Sequence, residues 1–235
     1  MTIPKKIHYV WVGGKEKPDD IKRCMKTWKK HLTGYEIIEW NEKNFDINSI
    51  AFVKKAYEQK KWAYVSDYIR AYVIYNEGGI YLDTDNILVD TPDKFLEHRA
   101  FVGYENSEHP FTAAFGAEKG HPFLKDIIDL YESMTFEFDK NDQYKIVNTK
   151  TVSDILIEKY GCKKGNLEQV LKDDIHVYKD DVLCNPSNNS VAIHVFTGTW
   201  LEGKRPLMTK LNRFLRVRLN NKFMIKLYLV ISKIF

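Results

Sequence analysis

Two carboxylates separated by a single residue, Asp83 and Asp85, sit in the stretch YNEGGIYLDTDNILVD over residues 75–90. Glu77-Gly78-Gly79 ends a helix, Ile80-Tyr81-Leu82 is a short apolar run with strand character, and Ile87-Leu88-Val89 starts a second strand. In extended geometry residues i and i+2 point the same way, which puts the two carboxylates about 6–7 Å apart on one side. Anions that close repel unless a cation lies near them. Oxygen ligands of this kind suit a hard divalent ion, Mg2+ or Mn2+, that can hold phosphate oxygens as well. A lone DxD can equally cap amides in a turn. The position between a helix stop with its apolar run and a second apolar strand favours the metal and phosphate role.

Other residues have types suited to the same chemistry. Asp67 and Arg70 are three apart and share a helix face, beside Ser66. An exposed pair of this kind contributes only a few tenths of a kcal/mol. Here the helix is apolar on most sides and runs straight into Gly78-Gly79, so its polar face is expected to line the space that Asp83 and Asp85 face. Trp11, with Tyr9 and Val10, ends a strand beside Gly13-Gly14, where an indole can stack on a planar base; a core tryptophan is the commoner role. His194-Val-Phe-Thr-Gly-Thr-Trp200 leaves a strand with a glycine and a tryptophan, a pattern able to close over a ligand. A lone histidine is more often structural.

The elements that must position these groups follow from periodicity. Residues 7–12 and 35–40 read as strands, with a helix over 18–31 between them. Helices over 50–59 and 62–76 follow, then the aspartate strand. Further strands are expected over 100–104, 112–117, 176–178 and 191–196, with helices over 121–134 and 152–160 and a polar loop over 139–148. The β-α-β-α-α lead points to an α/β fold with a mainly parallel sheet.

Composition narrows the class further. At 235 residues, 44% hydrophobic and 14% aromatic, the chain has material for one large domain or a domain with an appendage. Cys24, Cys162 and Cys184 form no CxxC pair, so neither a zinc site nor a disulfide framework is indicated, and a reducing, cytoplasmic setting is the simplest expectation. The first residues lack the long apolar core of a signal peptide, and no stretch reaches the roughly 18 apolar residues of a spanning helix. Charge is unevenly placed. All 32 acidic residues precede Gly203, and nine basic residues follow it, so the net +4 combines −5 with a tail of +9. Two amphipathic patterns run through that tail. They suggest residues 1–203 as the catalytic domain and 204–235 as a basic amphipathic helical tail, resting peripherally on the anionic inner face of a membrane. Nucleic acid is not an expected partner, since the tail's aromatics lie among aliphatics and not among its bases.

Taken together, IPKKIHYVWVGGK at 3–15, SDYIRAYVIYNEGGIYLDTD at 66–85, KGHPF at 119–123 and HVFTGTW at 194–200 resemble glycosyltransferase family 32. That group has a DXD sugar-binding region, includes α-1,6-mannosyltransferases and bacterial capsule enzymes, and shares its core with glucosylating toxins. The resemblance implies a GT-A, Rossmann-like nucleotide-sugar-binding fold, a nucleotide-sugar donor (UDP-sugar first, GDP-mannose second), Mn2+ or Mg2+, and a saccharide acceptor, lipid-linked ones included. It also implies retention of configuration. Carried over, Trp11 stacks on the base with Tyr9 and Val10 beside it, and Ser66, Asp67 and Arg70 hold the donor sugar. Asp83 and Thr84 contact ribose or sugar, Asp83 and Asp85 take the metal, and His194 and Trp200 sit by the diphosphate, His194 as a further metal ligand. Asn148-Thr149-Lys150 stands where the family often has Gly-Pro, and residues 111–117 lack an asparagine often found there. Both segments border the acceptor side.

Two other readings compete. Asp83-Thr84-Asp85-Asn86-Ile87 approaches the DxDx[TV] motif of haloacid-dehalogenase-type phosphatases, with Asp173-Asp174 and Asp180-Asp181 as later carboxylates, but Ile87 is the wrong type and the motif comes late in the chain. A non-enzymatic membrane binder run by the tail leaves the aspartates unexplained.

Overall fold

The computed structural model describes residues 2–137, 148–198 and 206–232. In chain order, β1 (Lys6–Val10), α1 (Asp19–His31), β2 (Glu36–Trp40), α2 (Ala51–Glu58) and α3 (Trp62–Glu77) lead to β3 (Gly79–Leu82) and β4 (Asn86–Leu88). Then come β5 (Ala100–Gly103), β6 (Ala114–Ala117), α4 (Pro122–Ser133), α5 (Asn148–Glu158), β7 (Gln169–Leu171), β8 (Ile175–Tyr178), α6 (Asp180–Leu183) and β9 (Ala192–His194). The helices α7 (Leu207–Arg216) and α8 (Lys222–Ile231) follow.

A seven-stranded sheet has the order β2-β1-β3-β6-β5-β8-β7, and β4 and β9 form a small antiparallel pair of their own. β1 is parallel to β2 and β3, and β5 is parallel to β8. β6 lies antiparallel between β3 and β5, and β7 is antiparallel to β8. The strands β1, β2, β3, β5 and β8 therefore run the same way, as expected of a parallel-rich α/β sheet. Their carboxyl ends share one edge, which is where ligands bind in open α/β sheets.

Alternation along β3 divides the core. Tyr81 packs on the side of α3, while Ile80 and Leu82 pack on the other side with Trp28 and Phe95. α3 is buried along most of its length, Tyr64, Val65, Tyr68, Ile69, Val73 and Ile74 included, in keeping with its near-uniform apolar sequence. β7 and α6 were not expected. Each is short, and the polar residues around them carry no periodic signal. Of the expected 139–148 loop, Asn148 opens α5 and the rest lies outside the described residues.

The charge boundary near residue 203 does not mark the end of the core. Val217, Leu219 and Ile225 are buried in a third cluster with Cys24 of α1, Ile87, Val89, Ile193 and Val195. The β4–β9 pair thus has one face covered by the C-terminal segment.

The turn from α3 into β3 needs glycine. Gly78 N–H bonds to Ile74 O at 2.9 Å, with φ +66° at Gly78 and +118° at Gly79. A Cβ on Gly79 would meet Lys6 O at 2.8 Å and His8 Nε2 at 2.9 Å. His8 is fully buried. Its Nδ1 accepts from Trp40 Nε1 at 2.9 Å, so Nε2 donates to Gly78 O at 2.9 Å, and burial lowers the imidazole to about 4. Gly79→Ala is expected to destabilise the protein by about 2–4 kcal/mol, through the positive φ and the clash with an immobile neutral histidine. The urea midpoint measures it. A loss well under 1 kcal/mol would show that this turn can relax.

Candidate functional site

Asp83 and Asp85 do not continue β3 in extended form. Asn86 N–H bonds back to Asp83 O at 2.9 Å, so residues 83–86 close a turn, with Thr84 half-buried at its corner. The turn replaces the strand geometry expected from i, i+2 spacing because the chain must leave the large sheet for β4 at once. Asp83 N–H still donates to Ala113 O at 2.9 Å, holding the turn against the β6 end of the sheet.

The turn gives the two carboxylates different partners. Asp83 Oδ1 receives Arg70 Nη2 at 3.1 Å and the Tyr81 hydroxyl at 3.0 Å. The same Arg70 Nη2 lies 3.1 Å from Asp67 Oδ1 and 3.1 Å from Ser66 Oγ, and the guanidinium lies over the Tyr81 ring at 4.8 Å. Ser66, Asp67 and Arg70 therefore do share a face of α3, turned toward Asp83. Asp67 and Arg70 are 6% and 7% exposed, too buried for either to be a surface ion pair. Burial disfavours the Arg70 charge, but Asp83, Tyr81 and Asp67 outweigh it and raise its pKa. Two carboxylates share this one guanidinium. Burial, against the pull of Arg70 and with a push from Asp83, raises Asp67 to about 7.

Asp85 points at the β4–β9 side. Its Oδ2 accepts Thr197 N–H at 2.8 Å and the Thr197 hydroxyl at 2.9 Å, and its Oδ1 lies 3.4 Å from His194 Nε2. Burial works against its charge, but His194 and the Thr197 bonds outweigh that and hold it well below the usual carboxylate range. His194 is shifted the other way. Burial lowers it, and Asp85 more than reverses this, to well above the ordinary imidazole value.

Carboxylate oxygens of Asp83 and Asp85 and an imidazole nitrogen of His194 lie within 4.8 Å of one another, a grouping able to hold a metal ion. His194 Nδ1 is a buried atom with no hydrogen-bond partner among the described residues. Two carboxylates with one imidazole suit Mn2+ or Mg2+, and a dication there would offset the surplus negative charge of Asp67, Asp83 and Asp85. The residues fit the ion that the sequence resemblance implies.

Other expected site residues lie differently. Tyr9 and Val10 have their side chains in the core. The Tyr9 hydroxyl donates to Glu39 Oε2 at 2.6 Å, so only backbone remains there for a ligand. Trp11 is half-buried, its Nε1 donating to Lys15 O at 2.6 Å and Lys17 Nζ lying 5.3 Å from its ring. Trp200 lies outside the described residues. The later aspartates of the phosphatase reading go elsewhere: Asp174 faces His176 at 3.1 Å, Asp180 faces Asn166 at 2.7 Å, and Asp181 faces Asn189 at 3.0 Å. None joins the metal-capable group among the described residues.

Sequence reasoning missed several contributors. Tyr81 and Thr197 lie inside the motifs but were not given roles. Glu105 follows β5 at the same sheet edge. Burial raises its carboxyl, against His194 and His109, and its Oε2 accepts from Thr149 Oγ1 at 3.4 Å. A carboxylate just beyond a strand end was the available signal.

Residues 18–102 match the family model described as "Glycosyltransferase sugar-binding region containing DXD motif". Over 141 residues the chain is 26% identical to inositol phosphoceramide mannosyltransferase 3 of Schizosaccharomyces pombe, covering 58% of this chain and 39% of that protein. The chain thus spans well under half of that relative. Among solved structures, similar chains include the PaToxG glycosyltransferase (TM-score 0.49, 18% identity, 67% of this chain and 69% of that one). The apo-form glycosyltransferase GlyE of Streptococcus pneumoniae TIGR4 is another (TM-score 0.49, 10% identity, 97% and 63%). A third is a glycosyltransferase involved in glycosylation of the major capsid of PBCV-1 (TM-score 0.46, 11% identity, 81% and 94%). The family match bears out the resemblance to DXD glycosyltransferases, and the DXD turn and the Asp67–Arg70 face lie inside the matched residues.

The raised Asp67 carboxyl has a consequence for stability. The unfolded carboxyl ionises near pH 4 and the native one near 7, so the native state holds the extra proton between these values. Stability from this group is therefore fully present below about pH 4 and is lost as pH rises to about 7. Asp67→Asn is expected to melt like wild type at pH 4–5 and several degrees higher at pH 8, read by circular dichroism. A variant that melts lower by the same amount at both pH values would show that ionised Asp67 is needed to hold Arg70.

Proposed function

We propose that the chain resembles its DXD relatives in activity as well as sequence: a metal-dependent, retaining glycosyltransferase that moves a hexose from a nucleotide-sugar to a saccharide acceptor, lipid-linked acceptors included. The supporting observation is the meeting of Asp83, Asp85 and His194 beside Asp67 and Arg70, at the carboxyl edge of the sheet. A UDP-sugar is the first expectation. The Schizosaccharomyces pombe relative, a mannosyltransferase by name, keeps GDP-mannose as the second.

In this reading Asp83, Asp85 and His194 would hold Mn2+ or Mg2+, the ion displacing the proton that Asp85 stabilises on His194, and the ion would supply positive charge to the departing diphosphate. The chain's own groups do the rest. Arg70, fixed by Asp67, Ser66 and Asp83, presents a guanidinium that cannot lose its proton to the side where negative charge develops. Ser66, Asp67, Asp83 and Thr84 orient sugar hydroxyls. Trp11 flanks the base with the backbone of Tyr9 and Val10, and Trp200 closes over the diphosphate. The leaving phosphate oxygen takes the acceptor proton in a front-side displacement. Glu105, with Thr149, serves to orient the acceptor from the β5 side.

Excess chelator is expected to abolish transfer. Asp85→Asn should lower kcat by roughly 10^3-fold, since the dication would lose one of its two carboxylate ligands. The assay is a panel of UDP- and GDP-sugars with Mn2+, read as donor hydrolysis and transfer, with a phosphatase substrate alongside. Full activity in EDTA, or phosphatase activity alone, would overturn the proposal.

The same reading places the enzyme peripherally on the inner face of a membrane. No helix among the described residues is long and apolar enough to cross one. Leu207, Met208 and Phe223 are 82%, 70% and 74% exposed on α7 and α8, and nine bases with no acids follow Glu202. Each base near an anionic leaflet contributes about 1 kcal/mol. At low salt the full chain should float with anionic but not neutral vesicles, and a Leu207→Ser/Phe223→Ser variant should float less. No flotation with anionic vesicles would remove the membrane from the proposal.

A further inference from the structure

The segment carrying His194 and Thr197 does not hold its shape by itself. Phe196, between them, has φ +56°, a left-handed conformation that a bulky aromatic residue rarely takes. That conformation lets two residues of one short segment address a single carboxylate, Thr197 at one oxygen of Asp85 and His194 at the other. Something outside the segment must hold it.

α7 supplies the restraint. Arg216 Nη1 donates to His194 O at 2.8 Å and its Nη2 to Asn185 Oδ1 at 2.8 Å. Its guanidinium lies 5.2 Å from the centre of the Phe196 ring, which in turn lies 4.0 Å from the His194 ring. One turn earlier, Arg213 is anchored on Asp20 of α1 at 2.7 Å and reaches Thr197 O at 3.5 Å. Two arginines of the basic tail thus grip the carbonyls of the two residues that face Asp85. Both side chains are half-buried, unlike the exposed Leu207, Met208 and Leu211 of the same helix. Charge alone would have put all the tail's bases on a solvated or lipid-facing surface. The fold instead spends these two on carbonyl oxygens.

We infer that Arg213 and Arg216 are positioning residues for the metal site, so that α7 belongs to the scaffold of the catalytic centre. The inference rests on the metal-binding reading of Asp83, Asp85 and His194 proposed above. A guanidinium bridges two acceptors in a fixed plane and an ammonium does not, so the Arg216 role is specific to arginine. Partners that orient a metal ligand typically change metal affinity 10–100-fold when removed.

The test is Mn2+ binding to the full chain without donor or acceptor, followed by electron paramagnetic resonance of the free ion. Arg216→Ala should weaken Mn2+ binding at least about tenfold, with Arg216→Lys intermediate. Arg218→Ala should bind within about twofold of wild type, since Arg218 contacts Phe214 and not the site. Wild-type affinity in a folded Arg216→Ala protein would overturn the inference. If that variant does not fold, Arg213→Lys decides in its place, and unchanged affinity there overturns the inference as well. A wild-type chain that binds no Mn2+ would instead sink the metal reading and this inference with it.

Discussion

The structure turns on a surplus of negative charge at a largely buried site, with Asp67 and Asp85 buried and Asp83 half-buried. Asp67, Asp83 and Asp85 converge where β3 ends, and Arg70 and His194 are the basic side chains they meet there. A buried charge is tolerated only when paired and hydrogen-bonded. Asp83 and Asp85 meet this by facing opposite ways, one toward α3 and the other toward β9. Burial raises the Asp67 carboxyl to about 7; the Arg70 that it shares with Asp83 offsets only part of this, and Asp83 adds to it. A site that leaves such a residue undercompensated is less stable than it could be, and a cationic ligand relieves it.

The backbone around the site follows from that need. Gly78 and Gly79 stop α3 and let β3 begin within one residue, which carries Arg70 up to the β3 end. The 83–86 turn sends the chain off the large sheet into β4. β4 pairs with β9 in the register Asn86↔His194, which sets His194 beside the Asp85 turn. Asp85 and Thr197 are 112 residues apart in sequence, yet the two strands hold them at 2.8 Å. β6, reversed between β3 and β5, keeps the ends of those two strands on one edge and brings Glu105 there too.

The C-terminal helices have two kinds of surface. One side closes the third apolar cluster through Val217, Leu219 and Ile225, and grips the His194–Thr197 segment through Arg213 and Arg216. Lys222 likewise meets Asp90 at 3.5 Å. The other side exposes Leu207, Met208, Phe214, Phe223 and Val230. The tail is therefore both part of the folded core and an apolar surface with bases around it.

The sequence alone determined the α/β class, the order of most elements, and the Ser66-Asp67-Arg70 and Asp83-Thr84-Asp85 motifs, because these depend on periodicity and on near neighbours in the chain. It also singled out His194, whose residue type is suited to a metal. What it could not decide were features that rest on contacts between distant segments. Tyr9 and Val10 go into the core because both faces of β1 are covered. The aspartate pair lies in a turn because β4 leaves the sheet there. Thr197, not only His194, faces Asp85 because Phe196 takes a left-handed conformation. Amphipathic spacing marked the tail as apolar with a basic rim. Which of its bases would meet carbonyl oxygens was set by how α7 lies on β9, and a one-dimensional pattern carries no information about the surface a helix will meet.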